Sequence, residues 1–104
     1  MRYKIFKSLI LDAKEFSDFD QYLAECGGAV DDPINALKFI WDFSHAPEVK
    51  TIRAAAGMSQ MEFSCEYGIP RRTLECWESQ TRETTTSALE TLAFAVLSDM
   101  LDVE

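Results

Sequence analysis

The residues that stand out as chemically capable are one histidine, three cysteines and an adjacent pair of arginines. His45 has no cysteine near it in sequence, so a zinc site is not expected and the ring is taken as structural or surface. Cys26, Cys65 and Cys76 are odd in number and widely spaced, which suits neither a disulfide framework nor a CxxC metal site, and they read as reduced thiols. There is no phosphate-binding glycine loop and no nucleophile–base set, so an enzyme is the weakest class, and neither metal nor cofactor is expected. Arg71 and Arg72 offer a different chemistry. A guanidinium is a rigid fork that can bond both O6 and N7 of guanine in the major groove. On a helix, at about 100° per residue, Arg71, Arg72, Glu75 and Cys76 fall on one arc while Leu74 and Trp77 fall on the opposite one. Glu75 can accept from cytosine N4 or orient one of the arginines, yet it also repels phosphate. Cys76 can touch a thymine methyl or sense oxidation, an inert thiol being the plainer reading.

The elements that would position these groups are helices. Apolar residues Phe6, Leu9, Ile10, Ala13 and Phe16 recur at spacings of three and four, predicting a helix over about 4–16, although Tyr3 to Leu11 also passes for a strand. Ser17 is the expected cap of a second helix carrying Phe19, Tyr22 and Leu23, ended by the left-handed backbone that Gly27-Gly28 would supply. Asp32-Pro33 marks a third start, with an apolar body through Phe43 up to the breaker Pro47. A short helix with Val49, Ile52, Ala55 and Ala56 closes at Gly57, and Ser59-Gln60-Met61-Glu62 matches a capping box opening the next, which ends at Tyr67-Gly68. Only Ile69 and Pro70 precede the run Arg71 to Ser79, so two short helices meet across a tight turn. Ser87-Ala88-Leu89-Glu90 matches a second capping box for a last helix carrying Leu92, Ala93, Val96, Leu97, Met100 and Leu101. An all-α protein is expected.

The 104 residues suit one folded unit, and 47% hydrophobic with 12% aromatic content is too rich for a disordered chain. No apolar run approaches the roughly 20 residues of a membrane span, and the N-terminus lacks the apolar core and cleavage site of a secretory signal, so a cytoplasmic location is expected. The net charge of −8 opposes contact with phosphate. The segment from Lys50 to Glu83 is neutral, however, with five basic residues (Lys50, Arg53, Arg71, Arg72, Arg82) and five acidic ones (Glu62, Glu66, Glu75, Glu78, Glu83).

From about Val49 to Met100, roughly half of the chain, the sequence resembles the helix-turn-helix family of Cro and phage repressors. Ser59-Gln60 matches the opening of the positioning helix, Phe63 and Tyr67 its core sites, Ser64 the helix crossing and Gly68 the turn. Leu74, Trp77 and Glu78 match the inner face and end of the recognition helix. The resemblance implies a lambda repressor-like helix-turn-helix bundle over residues 47–104, with residues 1–46 as an acidic helical extension packed on it. It implies that Arg71, Arg72, Glu75 and Cys76 face the bases, and that Gln60, Thr73 and Arg82 hold phosphate. Arg53 and Glu78 would form a partly buried structural ion pair. Many members carry glycine and several basic residues after the recognition helix, whereas here Gln80-Thr81-Arg82-Glu83-Thr84-Thr85-Thr86 keeps one base. The implied function is a sequence-specific transcriptional regulator of phage or mobile-element type, a repressor, bound to double-stranded DNA as a homodimer. The breadth of the last helix, with Phe94 between Ala93 and Ala95, leaves room for a second subunit. A competing class is a protein-binding inhibitor that keeps the scaffold, resembling anti-CRISPR proteins and antitoxins. It would set Asp12, Glu15, Asp18, Asp20, Glu25, Asp31 and Asp32 of the extension in a partner's nucleic-acid channel. A solvated acidic face is the commoner outcome for such residues.

Overall fold

The computed structural model describes residues 1–80 and 83–101, and among these it is all-helical. Seven α-helices follow one another: α1 (Tyr3–Ala13), α2 (Phe19–Cys26), α3 (Pro33–His45), α4 (Val49–Ala56), α5 (Gln60–Tyr67), α6 (Arg71–Glu78) and α7 (Thr86–Leu101), with a single 3-10 turn, Gly27–Ala29, after α2. No helix among the described residues is long and apolar enough to cross a membrane.

Gly27-Gly28 do not supply the expected left-handed stop of α2: Gly27 is right-handed, φ −60°, and runs on into the 3-10 turn. The other helix ends follow from capping chemistry, with three departures from the sequence expectation. First, α1 stops at Ala13, where the amides of Lys14 and Glu15 turn back to the carbonyls of Leu11 and Asp12. Phe16 is thereby freed from the helix and packs on Tyr22, with ring centroids 5.8 Å apart. Second, Asp18 rather than Ser17 caps α2: its backbone is extended and its carboxylate accepts from the Asp20 amide at 3.2 Å. Third, α7 starts earlier than its expected capping box. The Thr85 hydroxyl accepts from the Ala88 amide at 3.1 Å, while Glu90, the acid of the expected box, reaches across to the Lys7 ammonium of α1 at 2.9 Å. A local cap of marginal worth has yielded to a long-range ion pair and an equivalent cap two residues upstream.

One core runs through both expected segments. Phe6, Leu9, Ile10 and Ala13 of α1 and Leu37, Phe39, Ile40 and Phe43 of α3 are buried in the same cluster as Val49, Ile52, Phe63, Leu74, Ala93, Val96 and Leu97. Helix α1 lies on α3, α3 packs on α4 and α7, and α4 packs on α6 and α7. Phe94 of α7 is met by Tyr3 edge-on at 5.1 Å and by Phe6 at 5.4 Å. The side chain that left room for a second subunit is therefore occupied by α1, which supplies about 0.5–1.5 kcal/mol per aromatic pair beyond area burial. At the centre of α1 and α2, the fully buried Tyr22 donates its hydroxyl to the Leu9 carbonyl at 2.8 Å. Burial, first of all, raises the phenol well above its ordinary value, so it stays a donor.

Candidate nucleic-acid interface

The α5–α6 pair is built by local chemistry that can be followed atom by atom. The Ser59 hydroxyl accepts from the Glu62 amide and the Glu62 carboxylate accepts from the Ser59 amide, both at 3.1 Å, closing a reciprocal capping box. The bond from the Ser59 backbone, seconded by its hydroxyl, holds the Glu62 carboxyl below its usual value. At the other end Gly68 sits in the left-handed region, φ 63°, which L side chains avoid. The Ile69 amide returns to the Ser64 carbonyl, and the Ser64 hydroxyl donates to the Ile69 carbonyl. Serine is small enough to sit at this crossing and polar enough to pin the turn. Pro70 then supplies an extended N-cap without a side-chain bond, and α6 begins.

Leu74, fully buried, fixes which face of α6 turns inward. The helical period then leaves Arg71, Arg72 and Glu75 exposed, with Thr73 and Cys76 half-buried at the flanks. Of the residues expected to face bases, three are thus presented to solvent and Cys76 is partly withdrawn. Arg71 and Glu75 are paired, Nε to Oε1 at 3.4 Å, one turn apart on the exposed surface. Arg72 makes no ion pair or side-chain hydrogen bond among the described residues. The two arginines therefore differ: one guanidinium is oriented and partly neutralised, the other is open.

Behind α6, Arg53 meets Glu78 in a two-pronged contact, Nε to Oε2 at 2.7 Å and Nη2 to Oε1 at 2.8 Å, with Nη1 donating to the Met58 carbonyl at 3.0 Å. Their side chains are 19% and 7% exposed. The guanidinium's bonds hold the Glu78 carboxyl below the ordinary carboxylate value. This pair ties α4 to the end of α6, away from the exposed arc.

Gln60 behaves differently from expectation. Its side-chain amide turns inward and donates to Glu78 Oε1 at 3.3 Å, because that carboxylate keeps a free lone pair after binding Arg53. What remains for an anion at the start of α5 are the backbone N–H groups ahead of Glu62, since the Ser59 hydroxyl satisfies the Glu62 amide. Arg82, the remaining expected phosphate ligand, lies outside the described residues. Sequence reasoning passed over Met61, 60% exposed at the second position of α5. The signal was an apolar residue inside a capping box, where the first turn faces solvent.

Electrostatically the face is mixed. Glu62, Cys65 and Glu66 are exposed on α5, as Arg71 and Arg72 are on α6. The acid excess of the chain is not confined to residues 1–46, which hold eight acidic and five basic residues against ten and five in 47–104. Among the described residues no three His, Cys, Asp or Glu gather as a metal site. The three cysteines are free thiols, and burial, seconded by Asp12 and Glu25, raises that of Cys26. The His45 ring lies at 4.3 Å from Trp41, with Nδ1 at 2.8 Å from the Trp41 carbonyl. Comparison with protein-family models, with curated proteins and with solved structures finds no match to this chain.

Proposed function

We propose that this chain is a sequence-specific DNA-binding transcriptional regulator of the lambda repressor-like helix-turn-helix type, in which α5 positions and α6 reads the major groove. The observation that carries the reading is the α5–Gly68–α6 unit, which is capped, turned and locked so that Arg71 and Arg72 project together from the first turn of α6. The first turn of a recognition helix is the part that reaches base edges, and arginine is the side chain best suited to guanine there. Backbone amides at the start of α5 and the half-buried Thr73 take the phosphate role, while Glu75 sets Arg71 in position. Repression of a phage or mobile-element promoter is the expected outcome of such binding. The reading carries a homodimer with it. Because Phe94 is covered by α1, the second subunit would meet the outward stripe of α7, where Ala88, Thr91 and Ala95 are all exposed.

A second reading has one observation in its favour: exposed acids, Glu62 and Glu66 on α5 and Glu75 paired with Arg71 on α6, accompany the exposed arginines, as on a surface that binds a protein. The even spread of acid over the two segments speaks against a special mimic in residues 1–46. Fluorescence anisotropy on random 30-mer duplexes, and on a site selected from them, separates the readings. DNA binding predicts an affinity that falls steeply between about 50 and 200 mM salt and a larger loss for Arg72→Ala than for Arg71→Ala, each of about 1–3 kcal/mol on a preferred site. No binding at about 50 mM salt would overturn the regulator and favour the protein-binding reading.

A further inference from the structure

Away from the α5–α6 face, one group of side chains has no part in reading DNA, at the seam where α1, the end of α3 and the start of α7 meet. A cleft of about 440 Å³ opens there. Leu11, Ile10, Phe43 and Leu89 give it apolar walls, and Lys14 and Thr86 bring an ammonium and a hydroxyl. Its volume lies within the roughly 300–1,000 Å³ of small-molecule sites, whose walls are likewise mainly apolar with a few converging polar groups.

The charges in the cleft do not balance. Lys7 and Glu90 line it but neutralise each other at 2.9 Å, Glu90 being only 13% exposed. Lys14 lines it too and has no ion pair among the described residues. One positive charge is therefore left over beside an apolar wall. Leu11, one turn before Lys14, is 60% exposed and lines the cleft beside that ammonium. An ammonium on the rim and an exposed leucine along the wall match an anionic head and an aliphatic body.

We propose that this cleft binds a small amphipathic organic anion, its carboxylate on Lys14 and its aliphatic chain along Leu11, Ile10 and Leu89. The cleft is separate from the DNA-binding face, because none of these residues lies on α5 or α6. Residues from both 1–46 and 47–104 form the walls, so a bound anion bridges the two segments and stabilises the folded chain by mass action.

Octanoate is the probe, titrated into the full-length protein and followed by amide NMR shifts and thermal melting. Saturable binding in the millimolar range is expected, with shifts at Leu11, Lys14, Thr86 and Leu89 and a rise in Tm. Octan-1-ol, with the same chain and no charge, should bind about tenfold more weakly or worse, and Lys14→Glu should weaken octanoate by at least about tenfold. Lys38→Glu, on an exposed lysine of α3 outside the cleft, should leave octanoate binding unchanged. The proposal is overturned by the absence of saturation up to about 10 mM, by shifts that map elsewhere, or by equal binding of octan-1-ol. The octan-1-ol comparison uses the wild-type chain and so decides the matter even if a variant fails to fold.

Discussion

Replacing Glu78 by alanine removes a carboxylate that accepts three hydrogen bonds, two from Arg53 and one from Gln60. Arg53, 19% exposed in the intact pair, is then left with a single remaining bond, to the Met58 carbonyl. Breaking a buried pair by deleting one partner costs about 3–5 kcal/mol, and because Arg53 retains that bond and some contact with water the lower figure, about 3 kcal/mol, applies. For a domain of this length each kcal/mol moves the melting temperature by about 4–8 °C, giving a fall of roughly 12–24 °C. A fold of ordinary stability, about 5–15 kcal/mol, survives this. The double variant Arg53→Met, Glu78→Leu leaves no orphaned charge and should cost about 1 kcal/mol or less. The pH dependence has a fixed sign. Glu78 is held below its ordinary value of 4.5, chiefly by Arg53, so its contribution is present above that pH and is lost as the pH falls through the depressed value. Calorimetry of wild type and Glu78→Ala from pH 7 downwards should therefore show the two converging in acid. A fall in Tm of less than about 3 °C at pH 7, or a double variant as damaged as the sum of the singles, would refute the argument that an orphaned charge is what destabilises.

Gly68→Ala must adopt φ 63° at the end of α5, and since an added Cβ meets nothing within 4 Å the penalty is backbone strain alone, about 1–2 kcal/mol. Gly68→Asn should recover part of this in urea titrations, and equal loss for both would point to packing instead. Tyr22→Phe removes the bond to the Leu9 carbonyl and is expected to cost about 1 kcal/mol, read by chemical denaturation. Because the folded phenol is raised above its ordinary value of 10.0, mainly by burial, stability should be intact below that pH and decline above it as the unfolded phenol ionises. Tyr22→Phe should flatten that decline only in part, since burial and Asp99 raise Tyr67 to about 12 as well.

What the sequence disclosed is what short-range chemistry decides. The Ser59–Glu62 box, the left-handed Gly57 and Gly68, and the Asp32-Pro33 start each announce a helix end through residues at most three apart, and the structure has them all. The exposed arc of α6 was legible because a single buried residue, Leu74, fixes the phase of a helix. What was illegible depends on partners distant in sequence. Glu90 is drawn from its box by Lys7, Gln60 is turned inward by Glu78, and Phe94 is covered by Tyr3 and Phe6. None of these pairings has a periodicity or spacing that marks it. The cleft beside Lys14 is of the same kind, since its walls come from three helices that only the tertiary fold assembles.

The central claim is that α6 reads DNA sequence through its first turn. Selection of bound fragments from a random duplex library at moderate salt, with the full-length protein alone and with Arg72→Ala in parallel, tests it most directly. The account predicts enrichment of one motif for the wild type, guanine-containing and repeated with two-fold symmetry at a spacing of about one helical turn, and loss of the base preference in Arg72→Ala. A wild-type pool indistinguishable from the starting library, or an Arg72→Ala pool carrying the same motif at the same strength, would contradict it.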